Sequence, residues 1–533
     1  MTILGIDTGG TYTDGALLER ETKRVLKTAK ALTTPWDLSV GLENCVDHFD
    51  ESDLRQISMI CLSTTLATNA ILEHRGCKAG LILMGSVPDG KLPVSSFEYL
   101  PARISIRGEV QNYLREQEVR DLLVSMKGRY ESLAVSGYSS VRNPVHEEKV
   151  RQMAKEILGI PVVCAHDLTG QLGFYERTVT AVLNARLLPI IDQLLKAVDR
   201  IFAKRNLNVP VMVVRGDGSL MQESYAKERP VETILSGPAA SMLGSCFLSG
   251  KENGLVADMG GTSLDVVRIT EGKAEISEEG ATVDGWRTRV RALDIRTYAL
   301  GGDSRIRANE NRQIFIGPRK AVPLCRSGLV KGESDLTPTD VAHVTGEYLE
   351  WDESRSREGM KRMADQVGSD PDTLAGILSE KIAGLAAEDL TESIEAFGAD
   401  SSVPVIGVGA PARLWLKKAA EHMGREVLIP EHADVANAVG AAAGKIMELS
   451  KAIVRYDRRS SSYSIYSEKE NLKVADFDDA VEKAGIFAKK AAEEKAEKAG
   501  AESCEVTVFE NTDVDSEGNF IECVVEAVAS GIL

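Results

Sequence analysis

No Cys-x-x-C pair occurs in this chain; its eight cysteines stand at 45, 61, 77, 164, 246, 325, 504 and 523. That spacing excludes a zinc ribbon and an iron–sulfur loop, and most of these cysteines have apolar neighbours, as small core residues do. Histidine is scarce too. The seven histidines include no pair at metal-ligand spacing, and no Ser–His–Asp arrangement stands out. His146, beside Glu147 and Glu148, reads as the solvated start of a helix. Positive charge is in deficit, with 63 Lys and Arg against 80 Asp and Glu, a formal net charge of −17. This balance argues against nucleic acid or an anionic membrane as a main partner. No apolar run reads as long enough to span a bilayer and no secretory signal opens the chain, so a cytoplasmic location is expected.

What is present is a motif written twice. Asp7-Thr8-Gly9-Gly10-Thr11-Tyr12-Thr13-Asp14 and Asp258-Met259-Gly260-Gly261-Thr262-Ser263-Leu264-Asp265 both fit Asp-x-Gly-Gly-Thr-x-x-Asp, and both follow an apolar, strand-like stretch. Paired glycines allow positive φ and let backbone N–H groups approach an anion. The hydroxyls of Thr11, Thr13 and Thr262 add donors for phosphate. An Asp ahead of the glycines would repel phosphate, so Asp7 and Asp258 are expected to hold Mg²⁺ through oxygen or water. One copy reads equally well as a tight β-hairpin. Two copies suggest related half-domains facing each other across one nucleotide. Asp7, Asp258 and Thr11 are then the expected catalytic residues.

The order of elements is α/β. Strand signals at 57–62, 81–84, 133–136 and 161–164 alternate with helices, one of them starting at 34–37 and another running over 144–158. Apolar residues at helical spacing predict a long helix over 176–204, suited to a spine between two lobes. A strand at 210–214 opens the second lobe, which continues through a helix at 372–397 and a strand at 403–408. The stretch 455–462 is polar and linker-like, and a small α+β appendage follows: a helix capped by Asp476 and ended by Gly500, then two strands flanking a polar turn at 511–519. The expected domains are a first lobe over 1–185, a second over 186–450 and the appendage over 451–533.

Weaker signals surround the hairpins. Gly407 and Gly409 lie at a strand-to-helix turn, where they permit close approach of the adenosine end of a nucleotide or simply make a tight turn. Gly301 and Gly302 form either a further phosphate-side loop or a capped turn. The segment 236–240 reads as a helix start that faces the nucleotide or packs on a sheet, and 434–441 as a small-residue helix start that lets another element pack closely. Thr64, Thr65 and Asn69, at a strand-to-helix junction, bind substrate or cap the helix.

In this order the elements resemble the actin, sugar-kinase and Hsp70 ATPase superfold, with a two-lobed ribonuclease H-like core. Within it the chain resembles the hydantoinase/oxoprolinase family, specifically the hydantoinase A type of subunit, over about residues 3–445. The segments that carry the resemblance are the two hairpins, Ser63-Thr64-Thr65-Leu66-Ala67-Thr68-Asn69-Ala70, Tyr175-Glu176-Arg177-Thr178-Val179-Thr180-Ala181-Val182-Leu183-Asn184-Ala185 and Glu228-Arg229-Pro230-Val231-Glu232-Thr233-Ile234-Leu235-Ser236-Gly237-Pro238-Ala239-Ala240. Three segments depart from the family pattern. Leu62-Ser63 stands where the family places His before its Gly-Thr-Thr turn, Arg215-Gly216-Asp217-Gly218-Ser219 replaces a Ser-Asn-Gly-Gly segment, and Gly301-Gly302-Asp303 replaces three glycines.

The resemblance implies ATP and Mg²⁺ as cofactors and ATP-dependent opening of a small cyclic amide of hydantoin, oxoproline or lactam type. It also implies a separate B-type partner subunit, and an oligomer is expected. Two other functions stay open: the ATPase subunit of a ketone carboxylase, and an ATP-driven activator of a partner protein.

Overall fold

The structure is a computed structural model that describes residues 2–532 apart from Lys23, Pro35, Trp36, Glu278, Lys331, Ser401, Arg458, Arg459, Lys469 and 515–519. The expected helix start at 34–37 and the turn at 511–519 therefore lie partly outside the described residues. The fold is α/β with two ribonuclease H-like sheets, an actin-like core, and a C-terminal α+β unit.

In the first sheet the strands run in the order Arg24–Leu32, Tyr12–Glu19, Thr2–Thr8, Ile57–Thr64, Val211–Val214, Leu220–Gln222. Thr2–Thr8 and Tyr12–Glu19 form the first hairpin, with Asp7 opposite Asp14, and Ile57–Thr64 runs parallel to Thr2–Thr8. The strand expected to open the second lobe belongs here instead: Val211 pairs with Ile60 and Val213 with Leu62, in parallel. This four-residue apolar run suits a buried parallel position, and the free edge of Ile57–Thr64 supplies one. The expected division at residue 185 thus does not separate the two sheets. The first half also holds a second, wholly parallel sheet in the order Val162–Cys164, Ser132–Gly137, Ala79–Met84, Glu98–Leu100. Its two central strands are buried at every residue, as a parallel sheet requires. The helix Val145–Leu158 covers it. His146 and Glu147 at its start are buried rather than solvated: His146 Nε2 lies 3.0 Å from the Asn112 carbonyl, and Glu147 accepts from Gly137 N at 2.6 Å. Polar neighbours in sequence concealed partners supplied by other segments.

The expected spine helix spans Phe174–Ala203. By length and hydropathy it would pass for a membrane span, contrary to the reading of the sequence, but most of that stretch is buried inside the fold.

The sheet that carries the second hairpin repeats the one that carries the first. Its order is Lys273–Ala274, Leu264–Thr270, Gly254–Met259, Val405–Val408, Val427–Leu428, with Ile295–Tyr298 also pairing Leu264–Thr270. Asp258 stands opposite Asp265 in the hairpin and beside Val408 in the parallel strand. Helices Pro371–Ala396 and Ala412–Met423 close its apolar side around the buried Trp415.

The C-terminal unit is a five-stranded antiparallel sheet against the helix Phe477–Ala499. Asp476 caps that helix by accepting from Asp479 N, and Gly500 ends it at φ 107°, as expected. The unit begins earlier than residue 451, because its strand Ile446–Asp457 is continuous through that point. The ends of the expected linker pair as strands, Asp457 with Ser462, and Arg458 and Arg459 lie outside the described residues. The helix buries Ala480, Ala484, Ala488, Ala492 and Ala496, an i, i+4 alanine stripe that lets it lie close to the sheet. The resulting core is continuous with that of the first sheet.

Candidate functional site

The two hairpins are built alike. Gly9 N donates to Tyr12 O at 3.0 Å, and Gly260 N to Ser263 O at 2.9 Å, so the same three-residue closure shapes both tips. The expected positive φ is absent from Gly9, Gly10, Gly260 and Gly261. These glycines serve proximity. A Cβ on Gly9 would lie 2.9 Å from Tyr12 O, and one on Gly261 would lie 2.8 Å from both Thr11 Oγ1 and Asp303 Oδ2. The second contact joins the lobes: the tip of one hairpin meets the tip of the other.

Asp7 and Asp258 sit at the matching strand ends and are linked through two further side chains. Asn437 Nδ2 donates to Asp7 Oδ2 at 3.4 Å, Asn437 Oδ1 lies 2.6 Å from Ser241 Oγ, and Ser241 Oγ contacts Asp258 Oδ2. Asn437 lies on the helix Ala436–Ala443 and Ser241 on Ser236–Ser249. Those helices cross at almost bare backbone: a Cβ on Gly440 would stand 1.7 Å from Ala240 O, and one on Gly244 1.9 Å from Ala436 O. Small residues at 236–240 and 434–441 thus bring the lobes together.

Burial sets the electrostatics. It pushes the Asp7 carboxyl up to about 7, with Asp14 and Asp258 adding repulsion. It pushes Asp258 up to about 6, with Asp265 and Asp14 adding to it against the Ser241 contact. Asp14, opposite Asp7, is itself buried and held by Lys30 at 2.8 Å. One hydroxyl proton on Ser241 cannot serve both Asn437 Oδ1 and an ionised Asp258. The metal-free network is complete when Asp258 is protonated and donates to Ser241. Asp7 Oδ1 is buried with no hydrogen-bond partner. A buried, unpartnered carboxylate oxygen suits a hard divalent cation, directly or through water, so the residues fit Mg²⁺.

A second group closes the tips. Gly302 N donates to Gly260 O at 3.0 Å and Asp303 N to Gly261 O at 2.7 Å, strapping residues 301–303 along the second hairpin. A Cβ on Gly301 would fall 2.5 Å from Gly261 O. The Asp303 carboxylate accepts from Thr11 Oγ1 at 3.1 Å and is paired with the buried Arg326. Asp303, Arg326, Ser241 and Asn437 were not foreseen as site residues. Asp303 had a signal, as part of the Gly301-Gly302-Asp303 departure noted from the sequence; Arg326 had none.

The remaining expected residues divide. Asn69 Nδ2 donates to Thr65 Oγ1 at 3.1 Å, and Thr65 Oγ1 reaches Thr8 O at 3.5 Å, which places both beside the first hairpin. Thr64 is buried, and its hydroxyl accepts from Leu66 N at 3.1 Å, one residue ahead of the N-cap Thr65, which makes no side-chain cap bond. Thr13 is buried in the interior, 3.0 Å from Thr33 Oγ1, inside the strand Tyr12–Glu19, which packs against the helix Leu38–Val46. Thr262 is exposed at the second tip. Gly407 is a packing glycine: a Cβ there would meet Ile429 Cδ1 at 2.4 Å and Leu416 Cδ1 at 3.0 Å. Gly409 leaves room for the second hairpin rather than for a nucleoside. It has φ +92°, and its Cβ would lie 2.2 Å from Met259 O and 2.8 Å from Asp258 Oδ1. Gly409→Val is accordingly expected to lower the melting temperature sharply without any nucleotide. An unchanged melting curve with weakened nucleotide binding would restore the nucleoside role.

The hydantoinase/oxoprolinase family profile matches residues 177–449, and that of the family's N-terminal region matches residues 3–158. The chain is 26% identical over 517 residues to the caprolactamase subunit alpha of Pseudomonas jessenii, covering 85% of this chain and 71% of the relative. It is 29% identical over 395 residues to the acetophenone carboxylase gamma subunit of Aromatoleum aromaticum, covering 64% of this chain but only 53% of that subunit. Among solved structures, nucleotide-free acetone carboxylase matches with a TM-score of 0.78 at 20% identity, and the ATP-dependent caprolactamase of Pseudomonas jessenii with 0.71 at 21%. Each match covers 100% of this chain and 88% of the other. At these identities the structural likeness carries the fold alone.

Proposed function

Because the chain belongs to the hydantoinase/oxoprolinase family, we propose that it is the ATP-using subunit of an enzyme that activates a small cyclic amide for ring opening. The observation that carries this reading is the pair of equivalent Asp-bearing hairpins, linked through Asn437 and Ser241 and touching at Thr11, Gly261 and Asp303.

A cyclic amide is a poor electrophile. Transfer of the terminal phosphoryl group of ATP to its carbonyl oxygen, with departure of ADP, makes that oxygen a leaving group. Water then adds to the carbon, the C–N bond opens to an amine and an acyl phosphate, and a second water releases phosphate and leaves a carboxylate. Phosphoryl transfer asks for positioning and charge neutralisation more than for covalent help. Mg²⁺, when bound, supplies part of that neutralisation, and Asp7 and Asp258 are the residues that would hold it. The exposed backbone of the tips and the Thr11 hydroxyl supply donors, while Arg326 brings a buried cation beside them. Asp7, pushed up to about 7, is the better placed of the two carboxylates to exchange a proton near neutral pH.

Ketone activation uses the same transfer to a carbonyl oxygen. A carboxylase subunit is therefore the second reading, favoured by the 29% identity to the acetophenone carboxylase subunit against 26% to the caprolactamase subunit. Both relatives are named as subunits, which supports a partner chain, of B type on this reading. The isolated protein is expected to hydrolyse Mg·ATP slowly with little ring-opened product, and addition of the B-type subunit to couple the two. Phosphate release and product are measured for the chain alone and for the pair, with lactam, hydantoin, oxoproline and ketone. Efficient ring opening by the chain alone would sink the partner requirement. Carboxylated ketone as the only product would replace the first reading with the second.

A further inference from the structure

A cavity of about 440 Å³ lies between the first half of the chain, the spine helix and the C-terminal unit. None of the hairpin-tip residues lines it. In a chain of net charge −17, eight Arg or Lys side chains face this space against five Asp or Glu.

The five carboxylates are already matched. Glu232 pairs with Arg215 at 3.0 Å and Arg229 at 2.7 Å, and Glu448 with Arg215 at 2.5 Å. Glu468 pairs with Lys495 and Glu522 with Arg455, each at 2.6 Å, and Asp217 with Arg291 at 3.3 Å. Lys451 is held by Glu526, outside the lining. Two guanidiniums are left. Arg289 has a carboxylate only at 3.8 Å, on Glu176. Arg142 has none in salt-bridge range among the described residues; it stacks over Tyr466 at 4.6 Å, with the like-charged Arg455 nearby. The Nε atoms of both Arg142 and Arg289 are buried without hydrogen-bond partners.

We propose that this cavity binds a small dicarboxylate, one acid group on Arg142 and the other on Arg289. The volume is that of a small-molecule site. The planar guanidinium fork matches a carboxylate through two parallel hydrogen bonds, and stacking on Tyr466 holds the Arg142 fork in place before binding. The ion pairs of the five carboxylates fix the walls, so Arg142 and Arg289 are the part of the lining that a ligand completes. Bound there, the dicarboxylate touches Tyr466 of the C-terminal unit and Arg142 of the first half at once, and so ties them together. The proposal is independent of the ATP reading.

The test is calorimetric titration and thermal unfolding of the full chain, free of nucleotide and Mg²⁺, with succinate, glutarate or adipate at ionic strength held constant with sodium chloride. Inorganic phosphate is the comparison anion. A saturable site and a rise in melting temperature are expected with at least one dicarboxylate, through binding to the folded state only. Arg142→Gln and Arg289→Gln are each expected to weaken it tenfold or more, and Arg326→Gln, at the hairpin tips, to leave it unchanged. Should the glutamine variants fail to fold, protection of Arg142 in the wild-type chain from phenylglyoxal by the same dicarboxylate gives the equivalent readout. Binding of phosphate but no dicarboxylate, equal binding by both glutamine variants, loss through Arg326→Gln alone, or absence of protection would each overturn the proposal.

Discussion

Asp7→Asn is expected to cut Mg·ATP turnover about 100-fold or more and to leave the metal-free protein as stable as before, or more stable. Groups that merely orient a metal ligand are worth about 10–100-fold, so losing the ligand itself belongs at or beyond the upper end. The stability side follows from burial. A carboxyl raised from 3.8 to about 7 is costly to ionise in the folded state. The sign is fixed: between those two values the folded chain holds more protons than the unfolded one, so stability falls as pH rises. Asp258, raised to about 6, acts in the same direction over a narrower range. Both penalties are absent below pH 4 and complete above pH 7. Asparagine at position 7 keeps the shape and removes the larger one. Melting curves of wild type and variant without Mg²⁺ should diverge as pH rises from 4 to 7, the variant becoming relatively more stable. Wild-type turnover in Asp7→Asn, or a variant that loses stability with rising pH, would remove Asp7 from its assigned place.

Gly440→Ala is expected to be the more damaging change despite adding one methyl group. The new Cβ would stand 1.7 Å from the Ala240 carbonyl oxygen. Backbone in a helix cannot rotate aside as a side chain does, so the helices Ser236–Ser249 and Ala436–Ala443 must separate. Overpacking costs about 1–3 kcal/mol when side chains adjust; here about 3 kcal/mol or more is expected in urea unfolding. The same separation pulls Asn437 away from Ser241, so turnover should fall in whatever protein remains folded. Gly376→Ala is the control. It lies on the exposed side of Pro371–Ala396 with nothing within 4 Å of its Cβ, and it should gain up to about 1 kcal/mol from helix propensity. Equal stability of Gly440→Ala and wild type would mean that the crossing is loose.

What was legible in the sequence was local. The motif Asp-x-Gly-Gly-Thr-x-x-Asp carries its hairpin within eight residues, and the repeat announced two matching sheets. The spine helix and the caps at Asp476 and Gly500 are likewise short-range. What escaped depended on partners far along the chain. Asn437 reaches Asp7 across 430 residues, and Ser241 reaches Asn437 across 196. No window of sequence shows that a serine and an asparagine will complete a bridge between two aspartates. Arg326 looks like any surface arginine until Asp303 is seen beside it. The strand Val211–Val214 was recognised as a strand, but its sheet was not, because an apolar run does not name its neighbour. Gly407 and Gly409 show the same limit: glycine signals a close approach without saying to what.

The cover of the opening strand bears on how the chain is made. A Cβ on Gly5 would lie 1.9 Å from Ala438 O, so a strand made early is roofed by a helix made much later in translation. Its sheet also waits for Val211–Val214, and the adjoining core waits for alanines beyond residue 480. At about 5–20 residues per second, the apolar face of the first hairpin stays uncovered for tens of seconds of translation. The nascent chain should therefore engage holding chaperones early and release them late. Truncation after residue 445 would keep that roof but bare the part of the core that the alanines of the helix Phe477–Ala499 cover.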